Sequence, residues 1–460
     1  MKDLTTGKES KLILQFAAPM LLGNVFQQMY NIVDSIVIGN FIGKEALAAV
    51  GASFPIIFAL ISMVIGFAMG ATIMIAQFFG AKQMDKVRHT IDTLYIVMFF
   101  ASVILSVIGI VFTDDIFRLI ELPEEVLPEA VLYMRVYISG LVFFFGFNGT
   151  SAILRGLGDS KTPLYFLIIS TIANIALDLL FVVVFDWGIA GVAIATVISQ
   201  GGAFLTAIWY LNRTHEVVRL SVRKLKFDRE IFKQSLRIGL PTGFQQTFVS
   251  LGLIAVVWIV NLFGTDVIAA FSVVMRIDSI AAMPAMNFAA ALSTFVGQNI
   301  GANKTERVRS GLIATFKMTT IIAVSTSVFA IGLSKPLLGI FTDDQAVIEI
   351  GQQYLYIVSS FYIIFSSMFV INGVMRGAGD TIIPMFTTLV ALLFVRVPLS
   401  WFLSQRIGEA GIWWAIPIGW FLGLLFSWAY YLTGKWKTKA VVRQRPFTVN
   451  QEVVQENESI

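Results

Sequence analysis

Two carboxylates, Asp34 and Asp178, stand inside long apolar stretches of the chain. An ionised carboxylate at membrane depth costs roughly 2.5–3.5 kcal/mol on insertion scales, so an acid kept there is by default a functional group. Asp34 lies about four residues inside one end of its apolar run, and Asp178 about seven inside the corresponding end of its own; at ~1.5 Å per residue both sit roughly 6–10 Å below the outer surface. At equal depth they can meet, and a facing pair would share one proton or one small cation and titrate as a unit. The plainer alternative is that each acid reaches an interface or a backbone amide.

The neighbours sharpen this expectation. Asn24, Gln28, Asn31 and Ser35 follow i, i+4, i+7, i+11 spacing and form one polar helix face, with Gln27 and Asp34 beside it. Lipid would leave such a face unsatisfied, so it turns either to a wet cavity, where Gln28 and Asn31 would line the path of a substrate, or to other helices as packing contacts. Asn174 precedes Asp178 by four residues and stacks an amide over the carboxylate.

A second set of ionisable groups, Arg276, Asp278 and Arg396, lies eight or more residues from the span ends, to pair with one another or to contact an anionic group in a substrate cavity. Lys317 and Arg135, closer to span ends, are expected to snorkel. Pro19, Pro55, Pro284, Pro398 and Pro417 each remove a helix hydrogen bond within a span and permit a kink.

The absence of cysteine, with only His89 and His215 as histidines, excludes thiolate metal sites, iron–sulfur clusters, disulfides and bis-histidine haem within the chain. No Gly-x-x-x-x-Gly-Lys-Ser/Thr run offers a phosphate cradle, so transport would draw on an ion gradient, with no bound cofactor. An enzyme reading rests on two Gly-x-Gly-Asp runs, ending at Asp159 and Asp380, which resemble the motif of intramembrane aspartyl proteases. Both stand in short arginine-headed turns and the partner Tyr-Asp dipeptide is missing, so a structural role is expected, the glycines turning the chain and the Asp holding the nearby Arg.

The elements that position these groups follow from composition. Charged residues are 13% of the 460, against ~25% in soluble chains, while 57% are hydrophobic and the mean hydropathy is +0.80. Twelve apolar runs predict twelve transmembrane helices over 12–38, 50–76, 91–112, 130–154, 164–185, 189–211, 238–263, 267–296, 312–333, 350–375, 383–404 and 411–433. Alternating the connections puts 25 Lys/Arg on one side and only Lys44, Arg118, Lys335 and Arg406 on the other, so both termini are expected in the cytoplasm. The pI near 9.1 is thus an orientation signal and not a sign of nucleic acid.

The polar stretch 212–237 splits the spans six and six, giving an amino lobe over 1–211, a linker, a carboxyl lobe over 238–433 and a cytoplasmic tail over 434–460. The halves repeat: Arg155-Gly-Leu-Gly-Asp159 leading to Pro163 matches Arg376-Gly-Ala-Gly-Asp380 leading to Pro384 at an offset of 221, and Gln77, Gly80, Asp85 and Arg88 meet Gln298, Gly301, Glu306 and Arg309. With six spans each, the lobes enter the membrane the same way round, so their pseudo-twofold axis runs along its normal and a site between them can be reached by rocking. The chain is therefore expected to be an all-α polytopic membrane protein of two pseudo-twofold-related six-helix lobes. Positions matching Asp34 and Asp178 in the second half fall near Ala255 and Pro398, so the lobes have diverged chemically.

Pro19 followed by Asp34, the run Asp34-Ser-Ile-Val-Ile-Gly39 leading to Ala46-Leu-Ala-Ala-Val-Gly51, and the duplicated Arg-Gly-x-Gly-Asp turns resemble the multidrug and toxic compound extrusion family over essentially the whole length. The resemblance implies a V-shaped antiporter, not an enzyme, that expels small lipophilic, often cationic drugs in exchange for protons or sodium. It implies an amino-lobe cation site at Asp34, Tyr133, Asn148, Asn174, Asp178 and Thr196, of which Asp34, Asn174, Asp178 and Thr196 would offer oxygen ligands to sodium or share a proton. It also implies a hinge at Pro19. Other members place a sodium site on acids in helices seven and ten, which this sequence lacks. The expectation is a multi-pass monomer among the lipids of the inner (cytoplasmic) cell membrane, exporting drugs on a proton or sodium gradient. The alternative from the same superfamily is a flippase for lipid-linked oligosaccharides, for which Arg276 and Arg396 would have to bind pyrophosphate.

Overall fold

The computed structural model describes residues 2–214 and 219–442. Positions 215–218 of the expected linker and 443–460 of the expected tail lie outside the described residues. The chain folds as α1 Glu9–Val37, running on as a π-helix Ile38–Ile42, then α2 Lys44–Gly80, α3 Met84–Leu119, and α4, a bent pair of Leu127–Ser139 and Leu141–Gly156. Next come α5 Lys161–Val184, α6 Gly188–Thr214, α7 Arg229–Phe263, α8 Thr265–Gly301 and α9 Thr305–Gly332. The second bent pair, Gln345–Ser359 with Tyr362–Gly377, is α10, followed by α11 Ile382–Ile407 and α12 Ala410–Leu432. No strand occurs among the described residues. Among the described residues, nine helices are long and apolar enough to cross a membrane and the bent pairs raise this to eleven. The twelfth is α1, whose apolarity is diluted by its amide stripe.

Several helices outrun their apolar stretches, their charged ends being solvated. α2 has 37 residues, about 55 Å of helix against ~30 Å of hydrocarbon. Local chemistry fixes the starts: Asp228 caps α7 by accepting the backbone N–H groups of Glu230 (2.9 Å) and Ile231 (3.1 Å). The aspartates of the repeated turns do not hold their neighbouring arginines as expected. Asp159 accepts the amides of Lys161 and Thr162, both at 3.0 Å, which begin α5, and Asp380 accepts the Tyr430 hydroxyl at 2.6 Å. Arg376 donates to Gln245 at 3.0 Å instead. Arg135 does not snorkel alone but pairs with Asp114.

The internal repeat extends to the backbone. α4 bends by 50° at Gly140 and α10 by 48° at Phe361, 221 positions on. Left-handed residues recur at the same offset, Lys82 (φ 58°) with Asn303 (φ 59°) and Gly158 (φ 82°) with Gly379 (φ 91°).

The halves meet through small residues. Gly66-x-x-x-Gly70 of α2 crosses Gly239-x-x-x-Gly243 of α7 so closely that a Cβ on Gly66 would lie 2.6 Å from the Gly239 carbonyl oxygen, and one on Gly70 2.5 Å from that of Ser235. The first segment of the chain also reaches the other half: Leu4, Leu12, Ile13 and Phe16 share a core with Phe288, Leu292 and Phe295 of α8. Among the described residues, hydrogen bonds and ion pairs joining the halves lie at Asn24–Asn287 or closer to the chain ends, as with Asp228–Thr93 and Arg307–Glu9. The bundles are therefore joined over the half that carries Lys2 and Val442, the two ends of the described residues, here called the termini side.

Candidate functional site

α1 and α5 bring Asp34 and Asp178 together on the far side. Asp34 lies four residues before the π-helix Ile38–Ile42, and Asp178 immediately before the π-helix Leu179–Val184. A π-turn admits an extra residue per turn and shifts which side chains face inward, a local signature common at functional sites. Asp34 is 9% exposed and Asp178 and Asn174 are 1% exposed. The Asp34 charge acts on Asp178, and the two carboxylates also act on Tyr30 and Tyr133, which places all four in one electrostatic cluster.

Hydrogen bonding inside this cluster is incomplete. Asp34 Oδ1, both carboxylate oxygens of Asp178 and both amide atoms of Asn174 are buried without a protein partner. Unpaired buried polar atoms are costly, and the four oxygens among these five are acceptors that a proton or a hard monovalent cation can satisfy. Among the described residues no group of three or more His, Cys, Asp or Glu offers a site for a multivalent metal. Thr196 of α6 is buried beside them, its hydroxyl 3.1 Å from that of Tyr30.

A cavity of about 360 Å³ adjoins Asp34 but not Asp178, lined by Asp34, Asn31, Tyr133 and Thr196 and by the apolar face of α2 from Val50 to Ile65. Tyr30, Tyr137, Phe54, Phe58 and Phe144 add aromatic walls, and Gln200 presents an unpaired buried oxygen. Among the described residues, no lysine or arginine lines it.

The remaining expected site residues lie elsewhere. Gln28 is exposed and does not line the cavity, its oxygen accepting from Asn31 at 3.4 Å. Asn148 donates to the Phe144 carbonyl of its own helix at 2.9 Å and also stays out of the lining. Pro19 is buried within one continuous α-helix, Glu9–Val37, where its missing N–H leaves the Gln15 carbonyl without a helical donor. Arg276, Asp278 and Arg396 neither line this cavity nor form an ion pair with one another. Asp278 accepts the hydroxyls of Tyr354 and Tyr362, while Arg276 lies over the Phe341 ring at 6.0 Å. Residues two apart on a helix point about 200° apart, so Arg276 and Asp278 could not share a partner.

Tyr30, Tyr137 and Gln200 were not singled out from the sequence. Tyr30 was detectable, since it precedes Asp34 by four residues and so shares its helix face.

The MatE family model matches residues 19–180 and again 241–402, once in each half. The chain belongs to the MatE family. Two Bacillus subtilis (strain 168) relatives, the probable multidrug resistance proteins YoeA and YpnP, are 34% identical over 96% of this chain and 98% of theirs, and 32% identical over 96% and 99%. A solved MATE transporter in the bent conformation superposes with a TM-score of 0.89 at 23% identity, covering 95% of this chain and 98% of that one. The fold of this MatE protein is thus that of a membrane transporter.

Proposed function

We propose that this MatE protein is a secondary active multidrug exporter of the inner cell membrane, working as a monomer with both termini in the cytoplasm. A proton or sodium ion enters from the far side to Asp34, Asp178, Asn174 and Thr196, and drives release of a lipophilic, often cationic drug to that side. The supporting observation is the aromatic cavity beside Asp34, with unpaired buried oxygens of Asp34 and Gln200 in its wall and, among the described residues, no basic residue in its lining. Aromatic faces and one carboxylate favour an apolar cation, at roughly 0.5–2 kcal/mol per cation–π contact. The names of the Bacillus subtilis relatives agree with this reading.

The 25-to-4 distribution of Lys/Arg supports cytoplasmic termini. Since the cross-bundle contacts lie on that side, the bundle is read as open to the outside. A lipid-linked oligosaccharide flippase would need cations at its cavity, and Arg276 and Arg396 stand apart from this one.

Purified protein in sealed vesicles, given a proton gradient or a sodium gradient separately, tests the assignment. Cationic dye flux that follows one gradient is expected. Flux indifferent to both gradients, or transport of lipid-linked sugars in place of dyes, would remove it.

A further inference from the structure

The repeated glutamines and glycines form a reciprocal contact that the transport site does not use. Gln77 ends α2 and Gln298 ends α8, 221 positions apart, and both are 0% exposed. Gln77 Nε2 donates to the Gly377 carbonyl at 2.9 Å, and Gln298 Nε2 to the Gly156 carbonyl at 3.2 Å. Each glutamine thus binds the first glycine of the opposite half's Arg-Gly-x-Gly-Asp turn. The backbones dock equally closely: a Cβ on Gly80 would lie 2.0 Å from the Gln298 carbonyl oxygen, and one on Gly301 2.0 Å from that of Gln77.

The remaining atom of each amide takes up a chain end. Gln298 Oε1 accepts the Leu4 N–H at 2.9 Å, and Gln77 Oε1 accepts the Val441 N–H at 2.8 Å. The second turn glycines carry the same straps. A Cβ on Gly158 would lie 2.2 Å from the Lys2 carbonyl oxygen and one on Gly379 3.0 Å from that of Lys439. The amino strap is tied further by Lys304 to the Thr5 carbonyl (3.0 Å) and by Arg307 to that of Gly7 (2.7 Å).

A glutamine suits this place because one uncharged amide donates to one partner and accepts from another inside a closed contact. Both cross-bundle bonds and both straps share two side chains, so the halves cannot part on this side while either amide keeps its partners.

We propose that Gln77 and Gln298 are the positioning residues of a two-strap latch that holds the termini side of the transporter shut, and that cargo enters the cavity from that side only after both amides release the opposite turn and the two straps. This rests on the transporter reading above.

The cysteine-free chain allows spin labels at Lys86→Cys and Arg309→Cys, exposed residues of opposite halves on the termini side. In the otherwise unchanged protein a short separation is expected to dominate. Gln77→Leu with Gln298→Leu is expected to raise the longer-distance population at least ~10-fold, because buried donors and acceptors lose their partners. Gln77→Glu with Gln298→Glu keeps the acceptors for Leu4 and Val441 while setting a carboxyl oxygen against each opposite glycine carbonyl, and carries the test if the leucines block assembly. Hydrogen exchange at residues 2–7 and 439–442 is expected to be slow in the parent and to quicken in both straps together in the variants. An unchanged distance distribution in a folded double variant, or straps that loosen independently, overturns the latch. The distances do not depend on cargo, so absence of dye flux in the parent counts against the transporter reading alone.

Discussion

The Asn24 side-chain amide donates to the Asn287 oxygen across 3.1 Å, and among the described residues this is the hydrogen bond between the halves that lies farthest from the chain ends. It joins α1 to α8 near their middles. Asn287→Leu leaves the Asn24 donor unpaired and is expected to cost about 1 kcal/mol, or somewhat more if water cannot reach the site. A melting curve in detergent reads the loss. An Asn24→Ala, Asn287→Leu double variant no less stable than Asn287→Leu alone would confirm that the two amides act as one unit.

Asp34→Asn and Asp178→Asn keep the shape of the acids and remove their charge. Each is expected to lower gradient-driven dye efflux at least ~10-fold, the loss that follows from about 1.4 kcal/mol of cation binding, while expression and melting stay close to the parent. Full coupled transport by either variant in sealed vesicles would exclude that acid from the coupling step.

Tyr30→Phe removes the hydroxyl that holds Thr196 at 3.1 Å. With about 1 kcal/mol lost from the orientation of a cation ligand, the half-saturating proton or sodium concentration is expected to rise roughly fivefold, with maximal flux little altered. Thr196→Val acts through the same contact, so combining the two should add little. Strictly additive effects would show that the hydroxyl pair does not act as a unit.

Asp278 is a different kind of acid, with Tyr354 and Tyr362 already donating to it. Asp278→Asn weakens or loses both charge-assisted bonds and is expected to destabilise the second bundle by roughly 2–3 kcal/mol, read as a lower melting temperature. Dye flux per folded molecule should fall less than in Asp34→Asn. A folded Asp278→Asn protein that binds dye normally but has lost coupling would make this acid a second coupling group.

Gly66→Ala places a methyl carbon 2.6 Å from the Gly239 carbonyl oxygen, where α2 and α7 cross backbone to backbone. The helices must separate to admit it, at about 1–3 kcal/mol. Thermal unfolding should show the loss, whereas Gly51→Ala, which has open space around it, should not.

The twelve spans were legible because apolar length is the constraint that lipid imposes. Their ends were not, since stretches such as Arg229–Arg237 continue a helix past the apolar run, capped by Asp228 and packed through Ile231 and Phe232. The acids could be read from the sequence as charges out of place, and the repeat could be read from Gln77 and Gln298. What those glutamines bind could not, because each partner comes from the opposite half. Gly140 illustrates the same limit: one glycine in an apolar run does not announce a 50° bend, and its reason is contact with Val197, where a Cβ would lie 2.4 Å from a methyl carbon. The π-turns beside Asp34 and Asp178 leave no pattern in residue type. Arg276 and Asp278, close in sequence and opposite in charge, invited a pairing that helix geometry forbids.

The amino-terminal strap and the foot of α1 pack against residues almost 300 positions later, Leu4 on Gln298 and Phe16 in a core with Phe288 and Phe295. During synthesis the segment around Leu4 must therefore wait through the making of seven further spans for its partner. At ~5–20 residues per second that delay is roughly 15–60 s. This strap, made before α1, is thus seated only once α8 has been made.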